Sequence, residues 1–131
     1  MIINLTQHTA SAEQIAAGVQ DLPAEQRGAL VEALTFESLP TADEILAAAE
    51  AIAELAVQNG LGDDCLDSPA PKSAMIGGAL WLMGPLSAAL RSHLMEPVFA
   101  FSRRESVEEA QADGSVRKVG VFRHVGFVPA A

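Results

Sequence analysis

Two consecutive glycines between apolar runs, Gly77 and Gly78, constrain this chain more than any other feature. Ahead of them lies a short strand, Ala74-Met75-Ile76. Behind them come an apolar loop to Gly84-Pro85, a helix to about Leu94, and a second strand from Val98 to Phe101 that runs into Ser102-Arg103-Arg104. A strand-helix-strand unit of this kind asks for a parallel sheet, because the helix must carry the chain back to the end where the first strand began. In open sheets wound this way, ligands sit in a crevice beyond the carboxyl ends of the strands. The stretch therefore places a site before it says what the site does.

The remaining elements build outward from that unit. Ile2 to Thr6 is an apolar strand that turns at Gln7-His8-Thr9. Ser11 and Gln14 have capping-box spacing, which predicts a helix to about Val19, broken at Asp21-Leu22-Pro23. Pro23 suits the first turn of a second helix, to about Ala33, and Leu34-Thr35-Phe36 is expected to be a short strand. Thr41 and Glu44 form a second capping box. It opens a helix in which Ile45, Leu46, Ala49, Ile52, Ala53, Leu55 and Ala56 repeat at helical spacing, ended by a left-handed Asn59-Gly60. Residues 60–72 are a loop by composition, and Asp63, Asp64 and Asp67 match no cation-binding spacing, so no metal is expected there. Ser106 and Glu109 make a third capping box, which predicts one or two helical turns from Val107 to Ala112. The final run, Val116 to Val128, alternates: Val119, Val121, Arg123, Val125 and Phe127 on one face, Lys118, Phe122 and His124 on the other. Its short connection makes it an antiparallel edge hairpin. Together these give a single α/β domain over 1–131. It is a small Rossmann-like three-layer fold whose sheet, mostly parallel and of four or five strands, ends in a C-terminal antiparallel hairpin.

Charge narrows the partners. The 131 residues carry a net charge of −9, which argues against a long nucleic acid. Residues 1–71 hold twelve acids and one base, Arg27. Residues 72–131 hold five acids and seven bases, five of which (Arg103, Arg104, Arg117, Lys118, Arg123) fall between 103 and 123. A small anion is the partner that this half suits. The lone Cys65 forms no internal disulfide, no run is long and apolar enough for a membrane span, and the N-terminus lacks a signal-peptide pattern, so the expected setting is cytoplasmic. Phosphate-loop, dinucleotide, nucleophile-elbow and zinc motifs are absent, and no cofactor is expected.

Three groups are expected to converge at the carboxyl edge of the sheet: Thr6, Gln7 and His8; Gly77 and Gly78 with the following helix start; and Ser102, Arg103 and Arg104. Helix-start N–H groups carry partial positive charge and guanidinium forks match phosphate oxygens, so the three would form an anion pocket. Consecutive arginines on a strand face opposite ways, so one of the pair is expected to miss the site. Arg123, set in an apolar row, is a ligand contact or half of a buried ion pair. Trp81 packs in the core or stacks on a planar ligand. His8 is the candidate general acid or base, with a turn histidine bonded to nearby backbone as its structural counterpart.

The opening INLTQHTASAEQ, the AMIGG corner and FAFSRRESVEE resemble a family of small, largely uncharacterised bacterial and phage proteins, over most of the chain. The first strand and helix start, through Asn4, Thr6, His8 and Gln14, also resemble Rossmann-like CRISPR-associated proteins that bind or cleave cyclic oligoadenylates. The second resemblance implies a nucleotide ligand. Three functions follow: a binding or sensing module for a small phosphorylated ligand, a metal-independent phosphodiesterase using His8 with an arginine, or a partner-binding protein that dimerises through 79–83 and the final hairpin.

Overall fold

The computed structural model describes residues 1–61 and 72–130. Strand β1 (Ile2–Asn4) leads into a short helix α1 (Ala12–Ala16) and strand β2 (Val19–Asp21), followed by α2 (Ala24–Leu34) and α3 (Ala42–Ala56), which widens into a π-helical turn over Val57–Leu61. Then come β3 (Lys72–Met75), α4 (Leu80–Ser92) and two long strands, β4 (Met95–Ala110) and β5 (Val116–Pro129). The sheet order is β2-β1-β3-β4-β5, with the first four strands parallel and β5 antiparallel to β4. The chain winds outward from β1 to β2 and then back across β1 to β3. The winding direction therefore reverses between β1 and β3.

Strand alternation divides the core in two. Ile3, Leu5, Ala74 and Ile76 face α2, α3 and α4, where Leu30, Ile52, Leu82, Leu86 and Leu90 are completely buried. Each such side chain contributes about 1.5–3 kcal/mol on burial. Ala49, Ala53 and Ala56 are buried on α3 too, and their small side chains let α3 lie close against α4. The alternate residues Val19, Met75 and Val98 form a smaller cluster on the opposite face with Ile2, Ala10 and Phe127. Among the described residues, only α1 covers that face.

Several expectations change. The helix begun at Ser11 stops at Ala16, because Gly18 adopts φ +102°, a conformation that L side chains disfavour, and Val19 to Asp21 continue as β2. Leu34–Phe36 is not a strand: Leu34 ends α2, and Thr35 follows as its cap with its hydroxyl donating to the Val31 carbonyl. Helix α4 begins at Leu80 rather than at Pro85, which lies inside it and costs the Trp81 carbonyl its i+4 partner. Asn59-Gly60 does not stop the chain in a left-handed turn; Asn59 Nδ2 bonds the Leu55 carbonyl within the π-helical turn. The helical turns expected over Val107–Ala112 are absent: β4 continues to Ala110, with Val107 opposite Val119 and Glu109 opposite Arg117. Cys65, Asp63, Asp64 and Asp67 lie outside the described residues.

Beyond Val98 no described strand pairs with β4 on the β3 side. From Ser102 to the tip the hairpin is thus a two-stranded arm of about 27 Å, taking about 3.4 Å per residue. At its base, Phe101 pairs with Gly126 and Ser102 with His124, leaving Val125 as an extra, bulged residue. The bulge breaks the alternation read from the sequence. Phe127 shares a face with His124, their rings 4.8 Å apart, rather than with Val121 and Arg123.

Candidate functional site

The β1–α1 connection is folded by one buried side chain. Asn4 has no exposed surface, and both N–H donors and the oxygen of its carboxamide are used. Nδ2 donates to the His8 carbonyl at 2.8 Å and to Asp21 Oδ1 at 2.7 Å, and Oδ1 accepts from the Thr6 N–H at 2.9 Å. The Thr6 hydroxyl lies 2.7 Å from the same oxygen and 3.1 Å from the His8 carbonyl, so its single proton serves one of them at a time. Asp21 Oδ1 also accepts from the Ala10 N–H at 3.0 Å. Arg27 closes the outside: Nη2 donates to the Gln7 carbonyl at 3.0 Å, and Nη1 stands 3.8 Å from Asp21. The turn is therefore clamped by its backbone, which leaves the side chains of Gln7, His8 and Thr9 exposed.

Strand β3 ends beside this turn. Leu5 N–H bonds the Met75 carbonyl and Ile76 N–H bonds the Val98 carbonyl, both at 2.9 Å, after which the ladder opens. A Cβ at Gly77 would stand 3.5 Å from Thr6 Cγ2, which measures how closely the two segments approach. Gly78 takes φ +146°, strained for any other residue, and so turns the chain into α4. Ala79 caps α4 with no side-chain bond, and the Leu82 N–H turns back to the Ala79 carbonyl at 3.0 Å, which leaves the N–H groups of Leu80 and Trp81 beside Gly78 without a partner among the described residues.

Between these segments lies a crevice of about 470 Å³, lined on its polar side by Thr6, Gln7, His8, Thr9 and Gln14 and on its apolar side by Met75, Ile76, Phe99 and Ala100, with Gly77 and Gly78 at the corner. It lies where the winding direction reverses, beyond the carboxyl ends of β1 and β3. Of the residues singled out in the sequence, Thr6, Gln7, His8, Gly77 and Gly78 meet here. Trp81, Ser102, Arg103, Arg104 and Arg123 are not among the lining residues. Trp81 meets Phe36 edge-on, with ring centroids 4.8 Å apart. Ser102 lies at the base of the arm opposite His124. Arg103 and Arg123 are cross-strand neighbours that share Glu105, at 3.1 and 3.7 Å. Arg104 stretches over Gly120, where an added Cβ would come 2.8 Å from its Nε. The cations miss the crevice because β4 runs straight past its rim instead of ending there.

Sequence reasoning overlooked the residues that shape the crevice from behind, Asp21 and Arg27. Arg27 did carry a signal, as the one base among the first 71 residues. A larger depression of about 760 Å³ between α2 and α3 brings together Glu32, Glu37 and Glu44 without any base among its lining residues, so it disfavours an anion. A family profile described as the Uncharacterized protein MJ1673 family matches residues 1–128. The chain belongs to that family. The match runs from β1 almost to the end of β5, so crevice and arm both lie within what defines the MJ1673 family. No curated protein and no solved structure matches the chain.

Proposed function

We propose that this protein binds or senses a small anionic ligand, a phosphorylated one with a planar apolar part such as a nucleotide, in the crevice between β1 and β3. One observation carries the reading: His8 and the Gly77-Gly78 corner, some seventy residues apart, line the same crevice at the reversal point of the sheet. The open N–H groups at the start of α4 would receive the anionic end, aided by Thr6, Gln7, Thr9 and Gln14. The wall of Met75, Ile76, Phe99 and Ala100 would take the planar part. Asn4 shapes the turn and is unavailable to a ligand, whereas Thr6, His8 and Gln14 remain at the surface of the crevice. The resemblance of Asn4, Thr6, His8 and Gln14 to CRISPR-associated proteins that bind or cleave cyclic oligoadenylates is what suggests a nucleotide among such ligands.

Binding is favoured over phosphodiester cleavage because, among the described residues, no acid or base hydrogen-bonds the His8 ring. A general acid or base needs such an orienting partner to present the correct nitrogen. The test is thermal stability in the presence of a panel of cyclic and linear nucleotides, followed by chromatography of the mixtures. The expected result is a rise in Tm with the nucleotides intact, reduced by His8→Ala and Gly78→Ala and kept by Trp81→Ala. No shift with any phosphorylated compound sinks the binding reading, and consumed nucleotide would establish cleavage.

A further inference from the structure

The arm presents a free backbone edge whose sequence complements itself. Val98 directs its carbonyl to Ile76 on the β3 side, and Pro97 directs its carbonyl to Ala130 on the β5 side. Backbone direction alternates along a strand, so Arg104, Ser106 and Glu108 turn their N–H and C=O groups to the β3 side, where no described strand lies. One face of the arm is open as well, with Val116 60 % and Phe122 72 % exposed on it. A two-stranded ribbon of this kind is marginal by itself, and an unpaired edge is a template for another strand.

The edge runs Arg103-Arg104-Glu105-Ser106-Val107-Glu108-Glu109. We infer that this edge pairs antiparallel with the same edge of a second copy, about a two-fold axis at Ser106, giving a continuous sheet with the two β4 strands at its centre. That register sets Arg103 opposite Glu109 and Arg104 opposite Glu108, twice over by symmetry. It also brings the outward-facing residues into register with one another: Arg104 with Glu108, and Ser106 with Ser106. The neighbouring allowed registers are worse. Moving the axis to Glu105 sets that residue against itself, moving it to Val107 sets Glu105 against Glu109, and moving it to Arg104 sets that residue against itself. Glu108 and Glu109 lie across the ladder from Lys118 and Arg117, yet neither forms an ion pair among the described residues, so both carboxylates remain open to a second chain.

The experiment is mass determination by light scattering on the full chain and on two charge-reversed variants. The wild type should run as a dimer. Arg103→Glu with Arg104→Glu, and separately Glu108→Arg with Glu109→Arg, should each run as a monomer, and an equimolar mixture of the two variants should recover a dimer because each supplies the charges that the other lacks. A monomeric wild type at its highest soluble concentration overturns the inference, as do variants that dimerise alone or a mixture that stays monomeric. A second measurement does not depend on these charges. In a Cys65→Ser background, Ser106→Cys should oxidise to a covalent dimer, because opposed residues of a bonded pair have Cα atoms about 5.5 Å apart, within disulfide range. Val107→Cys should not. Absence of the cross-link at 106, or equal cross-linking at 107, rejects the register.

Discussion

Replacing Asn4 with alanine is the sharpest test of how the crevice is held. The change removes the donor to Asp21, the donor to the His8 carbonyl and the acceptor for the Thr6 N–H. Two of the three groups left behind keep another partner, since the His8 carbonyl lies 3.1 Å from the Thr6 hydroxyl and Asp21 Oδ1 still accepts from the Ala10 N–H. The loss therefore reduces to one charge-assisted bond and one part-buried orphan N–H, about 2–3 kcal/mol in all. For a chain of this length the melting temperature should fall by about 6–15 °C. Urea unfolding followed by circular dichroism at neutral pH measures the loss of free energy, and a thermal melt the fall in Tm, with the slope m unchanged if the denatured state is unaffected. Asn4→Asp separates hydrogen bonding from simple loss of volume. It places a second carboxylate where the amide donor met Asp21 at 2.7 Å, so at neutral pH it should be the worse of the two variants. Its deficit should shrink on acidification, because protonating either member of the pair restores a donor. A loss below about 0.5 kcal/mol for Asn4→Ala would mean that these bonds exchange freely with water, and the argument that Asn4 holds the turn would fail.

Other outcomes follow from single residues. Leu94 links α4 to β4 with φ +63° and is 86 % exposed, so Leu94→Gly should stabilise by about 0.5–1 kcal/mol, the left-handed penalty less glycine's extra entropy; an unchanged or lower Tm rejects the strain. Asp113 in the arm's turn accepts from the Ser115 hydroxyl and N–H, which hold its carboxyl below the usual 3.8. Its contribution is therefore present above the unfolded value and lost as pH falls through the lower folded one, and an NMR titration of the Ser115 amide should show this in the wild type and not in Asp113→Ala. Gly120→Ala displaces only the mobile end of Arg104, so stability should stay within about 0.5 kcal/mol of wild type; a larger loss would mean that the guanidinium is fixed over Gly120.

Strong, local signals carried over into the fold. Thr41 and Glu44 do form a reciprocal cap on α3, and Ser11 and Gln14 do so on α1. The same spacing at Ser106 and Glu109 misled, because a capping box is only a local preference and thirteen cross-strand pairs outweigh it. Strand β2 was hidden by its length, three residues with only Val19 buried, and its identity depends on Asp21 meeting Asn4, a contact between distant positions. The turn at His8 and the glycine corner could be placed together because each follows an apolar strand of the same parallel set. The arginines were misplaced for a related reason: hydropathy shows where β4 leaves the core at Phe101, but not that the strand continues into solvent.

The bulge at Val125 has a consequence for how this hairpin can change. One unmatched residue separates the rungs that belong to the body, from Val98 to Phe101, from the rungs of the arm. Removing the outermost rung, Ala110 with Val116, would shorten the arm by about 3.4 Å and leave Phe99 and Ala100 facing the crevice as before. The reach of the arm is thus free to drift in whole steps, like a ruler cut to different lengths, while the wall of the crevice keeps its place.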